Sequence, residues 1–277
     1  VAYAADFATN DNSRDDNGHG TNVSGIVLGV APATKILALD VFAGATAPAS
    51  AILQAIDWSV KNRAAYNIVA MNLSLGGGLY SSACTSDVFA NALANARTAG
   101  ILAAIASGNN GSSTSISSPA CAPAAISVGA VYESPLAGSR SYPSVGCSDS
   151  SINADKVTCF SNSNSLLSML APGAMITAAG ITMSGTSQAT PHVAGALAVL
   201  RAAYPNETIN QIATRATGNG TTITDTRNNV ARRRLDLTAA MGGGGVTSDS
   251  TPPTGSVSIN AAASSTRTSA VTLSISA

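Results

Sequence analysis

The chain has 277 residues, with 14 Lys and Arg against 14 Asp and Glu, so its formal net charge is zero. That balance removes the electrostatic argument for a nucleic-acid partner, which needs a clustered basic surface, and for a polybasic membrane-surface anchor. Only 10% of residues are charged while 45% are hydrophobic, a composition that buries a core and does not stay solvated. The longest apolar run, at 99–106, is far below the ~20 residues of a membrane span and has the length of a buried strand. Four cysteines, an even count, together with the low charge lead us to expect a secreted protein.

Strand and helix signals then alternate along the chain. Small residues around Gly18 and Gly20 open a helix through Val23 to Leu28. Residues 35–42 (KILALDVF) read as a buried strand, and a helix capped by Ser50 follows, with Ile52, Ile56 and Val60 four residues apart on one face. The apolar run 67–75 ends in Gly76-Gly77-Gly78. Residues 86–99 form a helix with the inward stripe Phe89, Ala92, Leu93 and Ala96, closed by Gly100. Two more apolar strands are expected at 101–107 (ILAAIAS) and 124–131 (AAISVGAV). A long helix begins at Ser187 and runs to about Tyr204, with Pro191 in its first turn, where no intrahelical N–H is needed. Short apolar strands separated by helices predict an α/β fold with a mostly parallel central sheet and helices on both faces. In such sheets sites collect at the carboxyl ends of strands. The loops 76–80 and 107–113 and the segment before Ser187 are therefore where chemistry is sought.

The character changes at the C-terminal end. Residues 242–253 read as a Gly/Ser/Pro linker, which ends a first domain of residues 1–241. Beyond it Val257, Ile259, Val271, Leu273 and Ile275 alternate with polar residues at period two. Residues 254–277 thus read either as a tail or, as the alternation favours, as the truncated start of an all-β, Ig-like sandwich.

Only two histidines are available as a general base near neutral pH. His192 follows Ser187 by five residues, which places the two about 140° apart on one helix, so it cannot serve that serine. His19 is then the candidate base, although a histidine taken singly is more often a packing residue. An esterase of the α/β-hydrolase type fits poorly. Gly185-Thr186-Ser187-Gln188-Ala189 lacks the second glycine of a nucleophile elbow, and the base precedes the serine instead of following it.

The segments DDNGHGTNVSG (15–25), MNLSLGGG (71–78), IASGNNG (105–111), SPACAPAAISVGA (118–130), APG (171–173) and GTSQATPHVAG (185–195) resemble, in this order, the subtilisin-like serine proteases (subtilases). The likeness covers about residues 1–241 and leans toward the proteinase K branch. A reference member of the family has roughly 157 residues between its His and Ser; here Ser187 comes 168 residues after His19. The resemblance implies the subtilisin-like three-layer α/β fold and a secreted serine endopeptidase working through an acyl-enzyme. In it Ser187 is the nucleophile, His19 the base, and Asn109 an oxyanion donor beside the Ser187 backbone N–H. Ser74, Leu75 and Gly76 match the strand on which an extended substrate peptide adds. The partners implied are a polypeptide substrate and a pro-segment inhibitor in the precursor of a monomeric enzyme. No cofactor is required for the chemistry, and structural calcium is an option the resemblance leaves open.

Departures from the family pattern carry expectations of their own. The family's triad Asp lies about thirty residues before the His, so it is expected outside this chain, ahead of Val1. Asp6 is assigned a structural or solvated role, and Asp15 and Asp16 are loop or first-turn residues. A non-catalytic homologue that binds peptides or mediates adhesion is the alternative reading. Asn22 stands where relatives commonly carry a second His, and Ser168 stands at what looks like a calcium-binding Asp of the proteinase K branch. Residues 133–158 look like an insertion. The four cysteines allow three pairings, of which Cys84–Cys121 and Cys147–Cys159 are expected.

Overall fold

The structure, a computed structural model, describes residues 1–8, 15, 17–242, 256–259 and 273–276. Its contacts divide into two compact units, Val1–Gly242 and Gly243–Ala277. The first unit opens with strand β1 (Tyr3–Asp6), helix α1 (His19–Val30) and strand β2 (Leu37–Asp40). β1 and β2 pair in parallel, with Asp6 opposite Asp40. Helices α2 (Ala49–Lys61) and α3 (Arg63–Tyr66) lead to strands β3 (Ala70–Leu73) and β4 (Gly77–Tyr80). Ser50 is not the cap of α2: Pro48 is, in extended conformation, and its carbonyl accepts from the Ala51 and Ile52 N–H groups, so Ser50 already lies inside the first turn.

After helix α4 (Val88–Thr98) come strands β5 (Leu102–Ala106), β6 (Ile116–Ser118) and β7 (Ile126–Tyr132). The Asp87 side chain caps α4 by accepting from the Phe89 N–H, and Gly100 at φ +87° turns the chain out of the helix. The stretch expected as a loop at 76–80 is partly a strand. β4 pairs antiparallel with β6, Gly77 opposite Ser118 and Tyr80 opposite Ile116. The chain that leads into it runs so close to β6 that a Cβ at Gly76 would lie 3.0 Å from the Ser118 carbonyl oxygen.

The rest of the unit comprises β8 (Arg140–Tyr142), β9 (Cys147–Asp149), β10 (Met169–Ala174), β11 (Ile176–Ala178), β12 (Ile181–Met183), α5 (Thr186–Ala203), α6 (Ile209–Gly218), β13 (Thr222–Asp225), β14 (Val230–Arg233) and α7 (Leu237–Ala240). Its centre is an all-parallel sheet in the order β10-β7-β5-β3. Every residue of β5 is buried, and its pleat divides them between two layers. Ala103 and Ile105 enter a core with Ile52 and Ile56 of α2 and Phe89, Leu93 and Ala96 of α4. Leu102 and Ala104 enter the other, with Val193, Leu197 and Leu200 of α5 and Ile212 of α6. Helices thus cover both faces of the sheet, as expected. Small residues let α5 pack closely on its neighbours: a Cβ at Gly195 would stand 2.9 Å from the Val30 side chain of α1.

The inserted segment folds as the β8–β9 hairpin. Its Asp149 is buried, accepting from the Tyr132 hydroxyl and the Cys159 N–H and pairing with Lys156 at 3.2 Å. Both expected disulfides are present: Cys84–Cys121 closes 37 residues and Cys147–Cys159 closes 12. In the chain-entropy picture, loops of these sizes contribute roughly 3–4 kcal/mol each. The second unit contains an antiparallel pair, β15 (Ser256–Ile259) with β16 (Leu273–Ser276), in which Val257 faces Ile275. Residues 243–253 of the expected linker, Val271 and the side chains of this pair lie outside the described residues. No helix among the described residues is long and apolar enough to cross a membrane.

Candidate active site

Ser187 stands in the first turn of α5, and the loop after β5 is wired onto that helix end. The α5 N-cap is Gly185, which has no side chain to offer. Asn109 takes the capping role from outside: its Oδ1 accepts from the Thr186 N–H at 2.8 Å and from the Thr186 hydroxyl at 2.9 Å. Because the backbone N–H can only donate, this contact fixes which end of the Asn109 amide is oxygen. Its Nδ2 lies 3.3 Å from where a Gly185 Cβ would be, and the Ser187 nitrogen lies 3.6 Å from that same point. Neither of these two donors has an acceptor among the described residues, and Asn109 is exposed. Two unpaired N–H groups therefore converge next to a serine hydroxyl at the open N-terminus of an 18-residue helix.

Two further shells hold this arrangement. The Gly108 N–H donates to Thr186 Oγ1. Buried Asn162 accepts from the Asn110 and Ser112 N–H groups through Oδ1, at 2.9 and 3.0 Å. The Asn162 segment is held in turn by Arg227, whose guanidinium donates to the Cys159 and Ser161 carbonyls and pairs bidentately with Asp225. Burial opposes the Asp225 charge, but the hydrogen bonds from Arg227 outweigh it and hold the carboxyl below its ordinary range. Sequence reasoning missed Thr186, Asn162 and Arg227. Nothing in their spacing from Ser187 signals them, since they act through space.

Ser74 follows β3 and meets Ser187 directly. The Ser187 Oγ donates to the Ser74 carbonyl at 3.3 Å, and the Ser74 Oγ donates to the Ser187 carbonyl at 2.7 Å. Leu75 is half-buried and Gly76 exposed, so the chain leaves the sheet toward solvent beside the serine.

His19 is the first residue of α1, which follows Gly18 in the left-handed region at φ +78°. A Cβ on Gly18 would stand 2.8 Å from the Ile181 side chain, so glycine is needed there on two counts. The first turn of α1 is capped by Asp15, which accepts from the Gly20 and Thr21 N–H groups. Burial opposes the Asp15 charge, yet these bonds keep its carboxyl below the usual range. Burial also pushes the His19 imidazole below its ordinary value, and the nearby Asp15 charge works the other way. The Phe42 ring meets the His19 ring edge-on at 6.4 Å. Among the described residues no carboxylate bonds His19, and its ring makes no hydrogen bond to Ser187. Asp6 spends Oδ1 on the Ala8 N–H and buries Oδ2 without a hydrogen-bond partner among the described residues.

His192 is directed elsewhere, with Nδ1 on the Gln188 carbonyl at 2.9 Å. It lines a cleft of about 620 Å³ together with Gly25, Val30, Glu133 and Met175, away from the serine hydroxyl. The Ser168 hydroxyl is engaged with the Ser127 N–H and hydroxyl and brings no charge to a cation. Among the described residues no three His, Cys, Asp or Glu side chains converge.

Comparison with known proteins agrees with this geometry. The family model described as "Subtilase family" (Peptidase S8) matches residues 3–244. An alkaline proteinase of Hapsidospora chrysogena is 37% identical over 209 residues, which is 70% of this chain and 46% of that protein. Alkaline protease 1 of Aspergillus clavatus is 38% identical over 195 residues, 65% of this chain and 42% of that protein. The chain thus spans less than half the length of these curated relatives. Among solved structures, a cold-adapted subtilisin-like serine proteinase superposes with a TM-score of 0.65 at 27% identity, covering 84% of this chain and 80% of that one. With the fold, the segment order and the family match in agreement, the chain belongs to the subtilase family of serine proteases.

Proposed function

We propose that the chain is the catalytic part of a secreted, monomeric serine endopeptidase that cleaves polypeptides through an acyl-enzyme and is made with a pro-segment inhibitor. The observation that carries the reading is the pair of unpartnered donors, Asn109 Nδ2 and the Ser187 N–H, beside the Ser187 hydroxyl. A hydroxyl at neutral pH is a weak nucleophile and needs a base. An extended substrate lies along Ser74, Leu75 and Gly76 by backbone pairing. Ser187 Oγ then gives up its bond to the Ser74 carbonyl and passes its proton to His19 as it attacks the scissile carbonyl. The charge that develops on the carbonyl oxygen falls between the two donors, which need no reorganisation to receive it. His19 returns the proton to the leaving amine, and a water activated by His19 releases the acyl group. Two disulfides support the extracellular assignment.

The third triad member is a carboxylate from a strand outside the described residues, seated between β2 and β3. β2 pairs only with β1, and β3 only with β5, among the described residues. Yet Leu37 and Leu39 of β2 and Met71 and Leu73 of β3 border one common core. A parallel strand inserted there would join the two sheets and end at the His19 side of the site, where sheets of this kind place their functional groups.

The test is labelling of the full-length secreted protein by a serine-directed fluorophosphonate, with casein hydrolysis in parallel. Labelling at Ser187 that disappears in Ser187→Ala supports the enzyme. A folded full-length protein that binds peptide but neither labels nor hydrolyses would be the peptide-binding homologue instead.

A further inference from the structure

We infer that Asn22 and Gln188 are a positioning pair that fixes the register between the helix bearing His19 and the helix bearing Ser187, a role that rests on the protease reading above. Asn22 is 0% exposed and Gln188 2%. Gln188 Nε2 donates to Asn22 Oδ1 at 3.1 Å. Asn22 Nδ2 donates in turn to the Ile181 carbonyl at 2.8 Å, in the β11–β12 hairpin that runs straight into Ser187. Gln188 Oε1 lies 3.0 Å from where a Gly185 Cβ would stand, against the turn that carries the oxyanion donors.

The placement in sequence gives this buried bond its meaning. Asn22 is three residues after His19, on the same face of α1, and Gln188 is next to Ser187. Elsewhere along this helix pair Gly195 of α5 sits against the Val30 side chain and the Val27 carbonyl of α1, a contact without side-chain hydrogen bonds. Apolar contacts tolerate a slide along the helix axis, whereas a hydrogen bond between two desolvated amides is directional and costly to leave unmade. The pair thus adds a directional bond to a close helix contact and sets the register between base and nucleophile. The proposed triad carboxylate orients the His19 ring, while the Asn22–Gln188 bond ties together the two helix starts that carry His19 and Ser187. A misplacement of about 1 Å between reacting groups costs on the order of 10²-fold in rate.

The experiment uses the full-length active protein with Gln188→Met, Asn22→Ala and the double variant. Each single change is expected to lower kcat about 10- to 100-fold with KM within about twofold. Fluorophosphonate labelling should slow in parallel, because it needs the His19–Ser187 alignment but not the substrate strand. The double variant should be no worse than the poorer single, since either change already breaks the bond. Singles that keep full kcat while only the melting temperature falls would overturn the inference, as would losses that multiply in the double variant. Should Asn22→Ala not fold, Gln188→Met, which keeps the side-chain length, decides alone by its kcat and labelling rate. A wild-type protein that neither hydrolyses nor labels would instead sink the protease reading itself, and the pair's role with it.

Discussion

Around Ser187 each turn of chain is tied by a side chain from another segment: Asn109 to Thr186, Gly108 to Thr186, Asn162 to the Asn109 loop, and Arg227 with Asp225 to the Asn162 segment. Around His19 itself the bonds are local: Asp15 caps the first turn from four residues upstream and Gly18 supplies the sharp entry, and only Asn22, one turn on, reaches distant segments. The serine half is preorganised by long-range contacts, whereas the histidine half is a helix start with a ring resting on Phe42. In the proposed mechanism this contrast divides the catalytic task between the two halves. Stabilising a developing oxyanion requires donors that do not move, so their supports are buried and layered. Orienting an imidazole requires one carboxylate on its far nitrogen, which the proposed mechanism takes from outside the described residues.

The largest test of this asymmetry is on the histidine side. Replacing the proposed triad carboxylate by its amide in the full-length protein should lower kcat by around 10⁴-fold, through loss of the correct imidazole tautomer. Active-site labelling and steady-state hydrolysis would measure it, and a loss below tenfold would mean that His19 is oriented in another way. On the serine side, Asn109→Ala should lower kcat by about 10²–10³-fold with KM little changed, because the donor acts on the transition state. Circular dichroism should show the fold intact.

A third change reaches the serine half from beneath. Asp225→Asn leaves Arg227 without its charged partner and should cost about 1.5–3 kcal/mol of stability, read from urea unfolding. The sign with pH follows from the depressed carboxyl of Asp225. Its contribution is complete above the unfolded value of about 3.9 and is lost as pH falls through the lower folded value. The Asn variant should therefore show a flatter stability profile in that acid window. The smallest effect returns to the histidine: the Asp15 charge raises the His19 value, so Asp15→Asn should move the acid limb of kcat/KM to lower pH. Asparagine keeps one acceptor oxygen for the helix start where Asp15 uses both of its oxygens, and added salt should shrink the difference between the two proteins.

The fold was legible wherever one short pattern carries it. The runs 35–42 and 101–107 contain β2 and β5, and 124–131 covers β7 up to its last residue, Tyr132, because buried parallel strands are continuous apolar runs. Phe89, Leu93 and Ala96 mark the inner face of α4 at helical spacing. Ser50 misled because a serine near a helix start resembles a cap, whereas Pro48 supplies the extended residue and the carbonyls. Gly77–Tyr80 misled because a glycine run carries no strand propensity; β4 forms only because β6 lies beside it. At the site, His19, Asn109 and Ser187 were legible through motif and order, while Thr186, Asn162 and Gln188 were not.

By itself, then, the sequence determined the α/β alternation and the candidate histidine, asparagine and serine, because each rests on local periodicity or a short segment, and it left the cysteine pairing for the structure to decide. Only the tertiary structure decided which layer each residue of an all-apolar strand enters and which end of the Asn109 amide faces Thr186. It alone joined Asn22 to Gln188, residues 166 positions apart. Hydrogen bonds between distant segments depend on how the layers stack, and that stacking is set by the whole core at once.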